Sequence, residues 1–148
     1  MKPDGPGGRV LVVDDLAIHR RGLERLLRWG GWEVETAATG AEALAIASER
    51  RPDVVITDLE MPGMGGLELL SQLHGRDPAL PVIVLTATCS ANLMANAMLA
   101  GAECCLAKPL DLSWLAAALA RAMRRGASES ADAHQGPSSR HVEVVGHG

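Results

Sequence analysis

Short apolar runs alternating with helix-patterned stretches set the folding problem for this chain. Val10-Leu11-Val12-Val13, Val54-Val55-Ile56-Thr57 and Val82-Ile83-Val84-Leu85 are almost unbroken in aliphatic residues. Runs of this kind bury both of their faces, as strands of a parallel sheet do when helices cover it above and below. The pattern predicts strands at 9–13, 32–37, 53–57, 81–86 and 104–107, and helices at 16–29, 40–50, 65–74, 90–100 and 111–124. Five β-α units in succession predict an α/β domain with a five-stranded parallel sheet and helices on both faces. The run at 32–37 alternates Trp32, Val34 and Thr36 with Glu33 and Glu35, the pattern of an edge strand. With the first strand central, the expected strand order is 2-1-3-4-5, and ligands bind beyond the strands' carboxyl ends where that order reverses, between strands one and three.

The helices carry their own signals. Thr39-Gly40-Ala41-Glu42 is a capping-box pattern. Leu16, Leu23, Leu26 and Leu27 fall on one face of the first helix, away from most of Arg20, Arg21, Arg25 and Arg28. Asp111 is placed to cap the last helix, whose apolar stripe is Leu112, Leu115, Leu119 and Met123. Arg121, Arg124 and Arg125 complement that helix's dipole, and Gly126 is the expected stop. At 148 residues the chain has the size of one domain. Its expected organisation is a flexible arm at 1–8, the domain at 9–125 and a disordered tail or linker at 126–148, where 141–145 is a weak strand candidate. Phe and Tyr are absent, so the core must be aliphatic.

What the predicted strands run into is chemically selective. The first ends at Asp14-Asp15, the third at Asp58, the fourth at Thr86 and the fifth at Lys108-Pro109. Helix capping would account for the acidic pair and a turn for Asp58, but separately; together they lie at strand ends that the topology makes neighbours. Carboxylates gathered in one crevice repel unless a proton or a cation intervenes. Oxygen-only ligands select a hard divalent ion such as Mg2+. Lys108, one of only two lysines beside Lys2, brings a point charge suited to a phosphoryl oxygen or a carboxylate. The Thr86 hydroxyl is a donor for an added phosphoryl oxygen. A cis Lys108-Pro109 bond would fix the direction of the lysine.

These residues resemble the receiver domain of the two-component response-regulator family. The resemblance rests on Val12-Val13-Asp14-Asp15, on Asp58-Leu59-Glu60-Met61-Pro62-Gly63-Met64-Gly65-Gly66-Leu67-Glu68, on Thr86-Ala87, on Gly101-Ala102 and on Lys108-Pro109, with the family's spacing over about 9–125. It implies a flavodoxin-like fold with Asp58 as phosphoacceptor. Mg2+ would be held by Asp14, Asp15, Asp58 and the backbone carbonyl of Glu60. Lys108 would pair with the phosphoryl oxygens, Thr86 would close on them, and small Ala87 would leave room for the donor, a sensor histidine kinase or a histidine phosphotransfer protein. Glu60 and Thr88 resemble positions that tune dephosphorylation. The arginine-rich first helix resembles the family's kinase-facing surface. The implied chemistry is confined to the domain's own phosphorylation and dephosphorylation, with a downstream protein effector reading the result. One departure stands out: the family's Tyr or Phe three residues before the lysine is Cys105. A thiol cannot fill an aromatic pocket, so the expectation is a weak response of the fourth helix, fifth strand and last helix, or a response through the fourth helix alone.

Two other classes compete. A flavin or nucleotide enzyme of the same fold would place cofactor phosphate against two aspartates, and Gly63-Met64-Gly65-Gly66 lacks a GxGxxG spacing. A phosphorylation-independent interaction domain is favoured by Cys105 and opposed by the intact Asp14, Asp15, Asp58 and Lys108. A net charge of −4 argues against direct nucleic-acid binding. No apolar run approaches the roughly 20 residues of a membrane span, and the first residues lack a signal peptide's apolar stretch, so a cytoplasmic location is expected. Cys104 and Cys105 are adjacent and on opposite strand faces, which makes them poor disulfide partners.

Overall fold

The structure, a computed structural model, describes residues 8–131, with side chains as far as residue 125. Strands β1 (Arg9–Val13), β2 (Glu33–Ala37), β3 (Val54–Asp58), β4 (Val82–Thr86) and β5 (Cys104–Ala107) alternate with helices α1 (Ala17–Trp29), α2 (Gly40–Glu49), α3 (Gly66–Arg76), α4 (Ala91–Leu99) and α5 (Leu112–Ala131). The sheet is parallel throughout, in the order β2-β1-β3-β4-β5. Val13 lies opposite Thr57 and Asp58 opposite Leu85, so the polar residues that end these strands emerge along one edge.

Strand residues alternate between two cores, which is why the runs are apolar at every position. Val10, Val12, Val54, Ile56, Ile83, Leu85, Cys104 and Leu106 face α1 and α5, and pack on Leu27, Leu115, Ala118, Leu119 and Ala122. Leu11, Val13, Val55, Val82, Val84 and Cys105 face α2, α3 and α4, and pack on Leu44, Leu69, Leu70, Leu73 and Ala97. Each fully buried aliphatic side chain contributes about 1.5–3 kcal/mol over its exposed state. Edge strand β2 shows the expected alternation only at its start, where Trp32 and Val34 are buried and Glu33 is exposed; Glu35 and Thr36 are both half-buried and Ala37 is buried.

The capping signals are realised. The Thr39 side chain accepts from the Glu42 amide at 3.0 Å, while the Glu42 carboxylate reaches back to the Ala38 amide at 2.8 Å, one residue earlier than the usual box. Ser90 accepts from the Leu93 amide at 3.1 Å. Asp111 Oδ1 accepts from the Ser113 hydroxyl at 2.5 Å and the Ser113 amide at 2.9 Å, and these hydrogen bonds hold its carboxyl below its ordinary value.

Several expectations need correction. Gly8 is not part of a loose arm: its carbonyl accepts from the Glu33 amide at 2.9 Å, and a Cβ there would meet Met123 Cε at 2.9 Å. Helix α5 does not stop at Gly126 but continues to Ala131. A helical glycine costs only about 1 kcal/mol relative to alanine, and no proline follows within the helix. Leu16 precedes α1 as its exposed N-cap, and Leu112 is also largely exposed, so the stripe begins at half-buried Leu23 and buried Leu27 in α1 and at Leu115 in α5. Arg121 and Arg125 turn back onto Glu103, whose side chain is nearly buried. The remaining arm and tail positions, including 141–145, lie outside the described residues.

Candidate phosphoacceptor site

The carboxyl ends of β1 and β3 bring Asp14, Asp15 and Asp58 together: one oxygen from each lies within 4.8 Å of the others. Asp14 and Asp58 are held by the chain around them. The Asp14 amide donates to Ala37 O at 3.1 Å, which ties the acidic pair to β2. Its Oδ1 accepts from the Leu16 amide at 2.9 Å, and the Arg20 guanidinium donates to its carbonyl at 2.7 Å. His19 Nδ1 stands 3.9 Å from Asp14 Oδ2. Asp58 ends β3 only 3% exposed, with Oδ1 accepting from the Glu60 amide at 3.1 Å. The loop that follows is closed at its base by the Gly66 amide donating to Leu59 O at 3.1 Å. Gly66 packs so tightly there that a Cβ would meet Asp58 O at 2.5 Å and Leu59 Cα at 2.6 Å.

Lys108 crosses from the end of β5 and donates from Nζ to Asp58 Oδ2 at 3.0 Å. Its amide donates to Thr86 O at 2.9 Å, and the Lys108-Pro109 peptide is cis. One ammonium thus faces three carboxylates, leaving excess negative charge in a half-enclosed crevice. Burial, with Asp58 nearby, raises the Asp14 carboxyl above its ordinary value, against the lowering effects of the Leu16 amide, Lys108 and His19. A divalent cation would offset that repulsion, and the hard oxygen donors suit magnesium.

Thr86 is fully buried at the end of β4. Its hydroxyl donates to Glu60 Oε2 and accepts from the Thr88 amide at 3.1 Å, while the Ala87 amide donates to Glu60 Oε1 at 3.2 Å. Cys105 lies 2% exposed beneath α4. Burial first, then Cys89 and Glu60, push its thiol up to about 11.

The sequence-predicted residues Asp14, Asp15, Asp58, Thr86, Ala87 and Lys108 therefore converge, and Pro109 and Cys105 sit beside them. The Glu60 side chain, His19 and Arg20 were not singled out for these contacts. Glu60 lies two residues after Asp58 and resembles a position that tunes dephosphorylation, but neither signal pointed to Thr86 as its partner.

Comparison with known proteins agrees with this geometry. Residues 10–120 match the response regulator receiver domain. The transcriptional regulatory protein PrrA of Mycobacterium tuberculosis is 42% identical over 120 residues, which cover 81% of this chain and 52% of PrrA. The chain thus spans about half the length of the curated relatives it matches. A response regulator receiver domain from Clostridium thermocellum superposes with a TM-score of 0.78 at 33% identity, covering 82% of this chain and 98% of that one. The CheX–CheY–BeF3–Mg2+ complex from Borrelia burgdorferi superposes with a TM-score of 0.73 at 28% identity, covering 77% and 87%. With the fold, the crevice and these relatives in agreement, the chain belongs to the response regulator receiver domain family.

Proposed function

We propose that Asp58 accepts a phosphoryl group from a phosphohistidine on a sensor histidine kinase or a histidine phosphotransfer protein, and that a downstream protein effector reads the resulting change. The observation that carries this reading is the pairing of Lys108 Nζ with Asp58 Oδ2 at 3.0 Å beside the Asp14–Asp15–Asp58 cluster. Asp58 is the nucleophile: its carboxylate oxygen forms the new O–P bond as the donor's N–P bond breaks, and the imidazole leaves with the electron pair. Asp14, Asp15 and Asp58, with the Glu60 carbonyl, would hold magnesium, which spreads charge off the transferring group when bound. The Borrelia CheY complex, with BeF3 and Mg2+, supports that cofactor.

This chain's own groups supply the rest. Lys108 offsets charge on the phosphoryl oxygens, the Thr86 hydroxyl and Ala87 amide are donors on the adjacent strand end, and Ala87 presents no bulk to the donor. The domain does not turn over a separate substrate; its chemistry is confined to Asp58. The second reading, an interaction domain independent of phosphorylation, draws on Cys105 in place of an aromatic ring.

Incubation with acetyl phosphate and magnesium, followed by intact-mass measurement, separates the two. The expected product is one acid-stable, base-labile adduct, absent from Asp58→Asn and absent with a chelator. An unmodified wild-type protein, or an adduct surviving in Asp58→Asn, would sink the proposal.

A further inference from the structure

The Glu60 carboxylate occupies both donors that the proposed phosphoryl group would need at the end of β4. One of its oxygens takes the Thr86 hydroxyl and the other the Ala87 amide, at 3.2 Å. The same residue's amide donates to Asp58 Oδ1 at 3.1 Å, so its backbone is tied to the phosphoacceptor while its side chain bridges to the neighbouring strand end. A carboxylate and a phosphoryl group present the same feature here: anionic oxygens facing an O–H and an N–H. Thr86 is consequently held inside, fully buried, before any phosphoryl group arrives. Glu60 itself is exposed, so its side chain has water to move into.

Resting on the phosphoacceptor reading of Asp58, we infer that Glu60 is a built-in competitor of the phosphoryl group. Its carboxylate satisfies Thr86 and Ala87 in the unmodified protein and must leave when a phosphoryl group takes them. The part that moves on modification is then the Glu60 side chain and its loop, rather than an inward swing of Thr86. The small Cys105 side chain suits this arrangement, because no large ring has to follow the threonine.

The test measures beryllofluoride binding in the presence of magnesium by calorimetry on the full chain. Glu60→Ala is expected to bind about tenfold more tightly than wild type, as two charge-assisted hydrogen bonds no longer have to be broken. Glu60→Gln, which keeps one acceptor oxygen without the charge, is expected to fall between. In a Thr86→Ala background the gain from Glu60→Ala should shrink by several-fold, which a general loss of negative charge would not produce. Equal affinities for wild type and Glu60→Ala, or a gain unchanged in the Thr86→Ala background, would overturn the competitor while leaving the function intact. Binding by none of the proteins, or binding that survives Asp58→Asn, would overturn both.

Discussion

The crevice at the ends of β1 and β3 and the face made by α4, β5 and α5 are built on opposite plans. In the crevice most groups are fixed by a named partner: the Asp14 carboxylate by the Leu16 amide and the Asp14 backbone amide by the Ala37 carbonyl, Asp58 by Glu60 and Lys108, Thr86 by Glu60 and Thr88. Across the other face, α4 carries no charged residue, and neither does α5 from Leu112 to Ala120. Its ionic contacts gather at one end, where Arg121 and Arg125 meet Glu103. Cys105 lies between, a small thiol under α4. The difference teaches that receiving a phosphoryl group and relaying the event place separate demands on a sequence. Reception needs charges held to within fractions of an ångström. Relay needs only a surface with two arrangements.

The sharpest way to break the contrast is at the acidic pair. Asp15→Asn should lower adduct formation at limiting magnesium by at least about tenfold, because a ligand is lost where charge is concentrated; measured dependence on magnesium concentration checks it, and unchanged dependence would remove Asp15 from the metal site. Next in size is Lys108→Met. Leaving the buried Asp58 without its ammonium should destabilise the metal-free protein by about 1–3 kcal/mol at neutral pH, read from urea melts. Saturating magnesium should restore part of that loss.

On the opposite face, Cys105→Phe should cost about 1–3 kcal/mol by overpacking. Wild-type stability from this variant would reveal a pocket already shaped for a ring and undo the contrast. Cys105 also sets a pH dependence. Its raised thiol is protonated in the folded chain up to about 11, against an ordinary value of 9.0. The stability it contributes is complete below 9.0 and is lost as pH rises through about 11. At neutral pH a thiol reagent should therefore label exposed Cys89 well before Cys105. The smallest effect concerns relay itself: amide exchange over 104–124 should barely change with beryllofluoride and magnesium, while the loop after Asp58 slows. A broad change across 104–124 would show that the quiet face does respond.

How much of this was legible beforehand follows from where the signals lie. Two-sided burial writes itself into the chain as unbroken apolar runs, so the three central strands could be read from Val10–Val13, Val54–Thr57 and Val82–Leu85, while the order followed from placing the first strand centrally. Asp14, Asp15 and Asp58 were legible because they close such runs, and Lys108 because it follows the fifth strand candidate at 104–107. The Glu60 bridge was not, because it joins two loops 26 residues apart and leaves no periodic trace. Arg20 on the Asp14 carbonyl escaped for a related reason: the first helix showed only which residues were polar, not which one turned back. The end of α5 was misread because a single glycine weakens a helix without terminating it.

Gly66 carries one more lesson. The backbone of α3's first turn lies against Asp58 O and Leu59 Cα with no room for a methyl group. The nucleophile's aim is therefore inherited from a neutral residue eight positions downstream, and Gly66→Ala should spoil adduct formation with every carboxylate and the ammonium still present. Loss of signalling in a chain like this one can begin as carpentry rather than chemistry, and a survey of its charged residues alone would miss the fault.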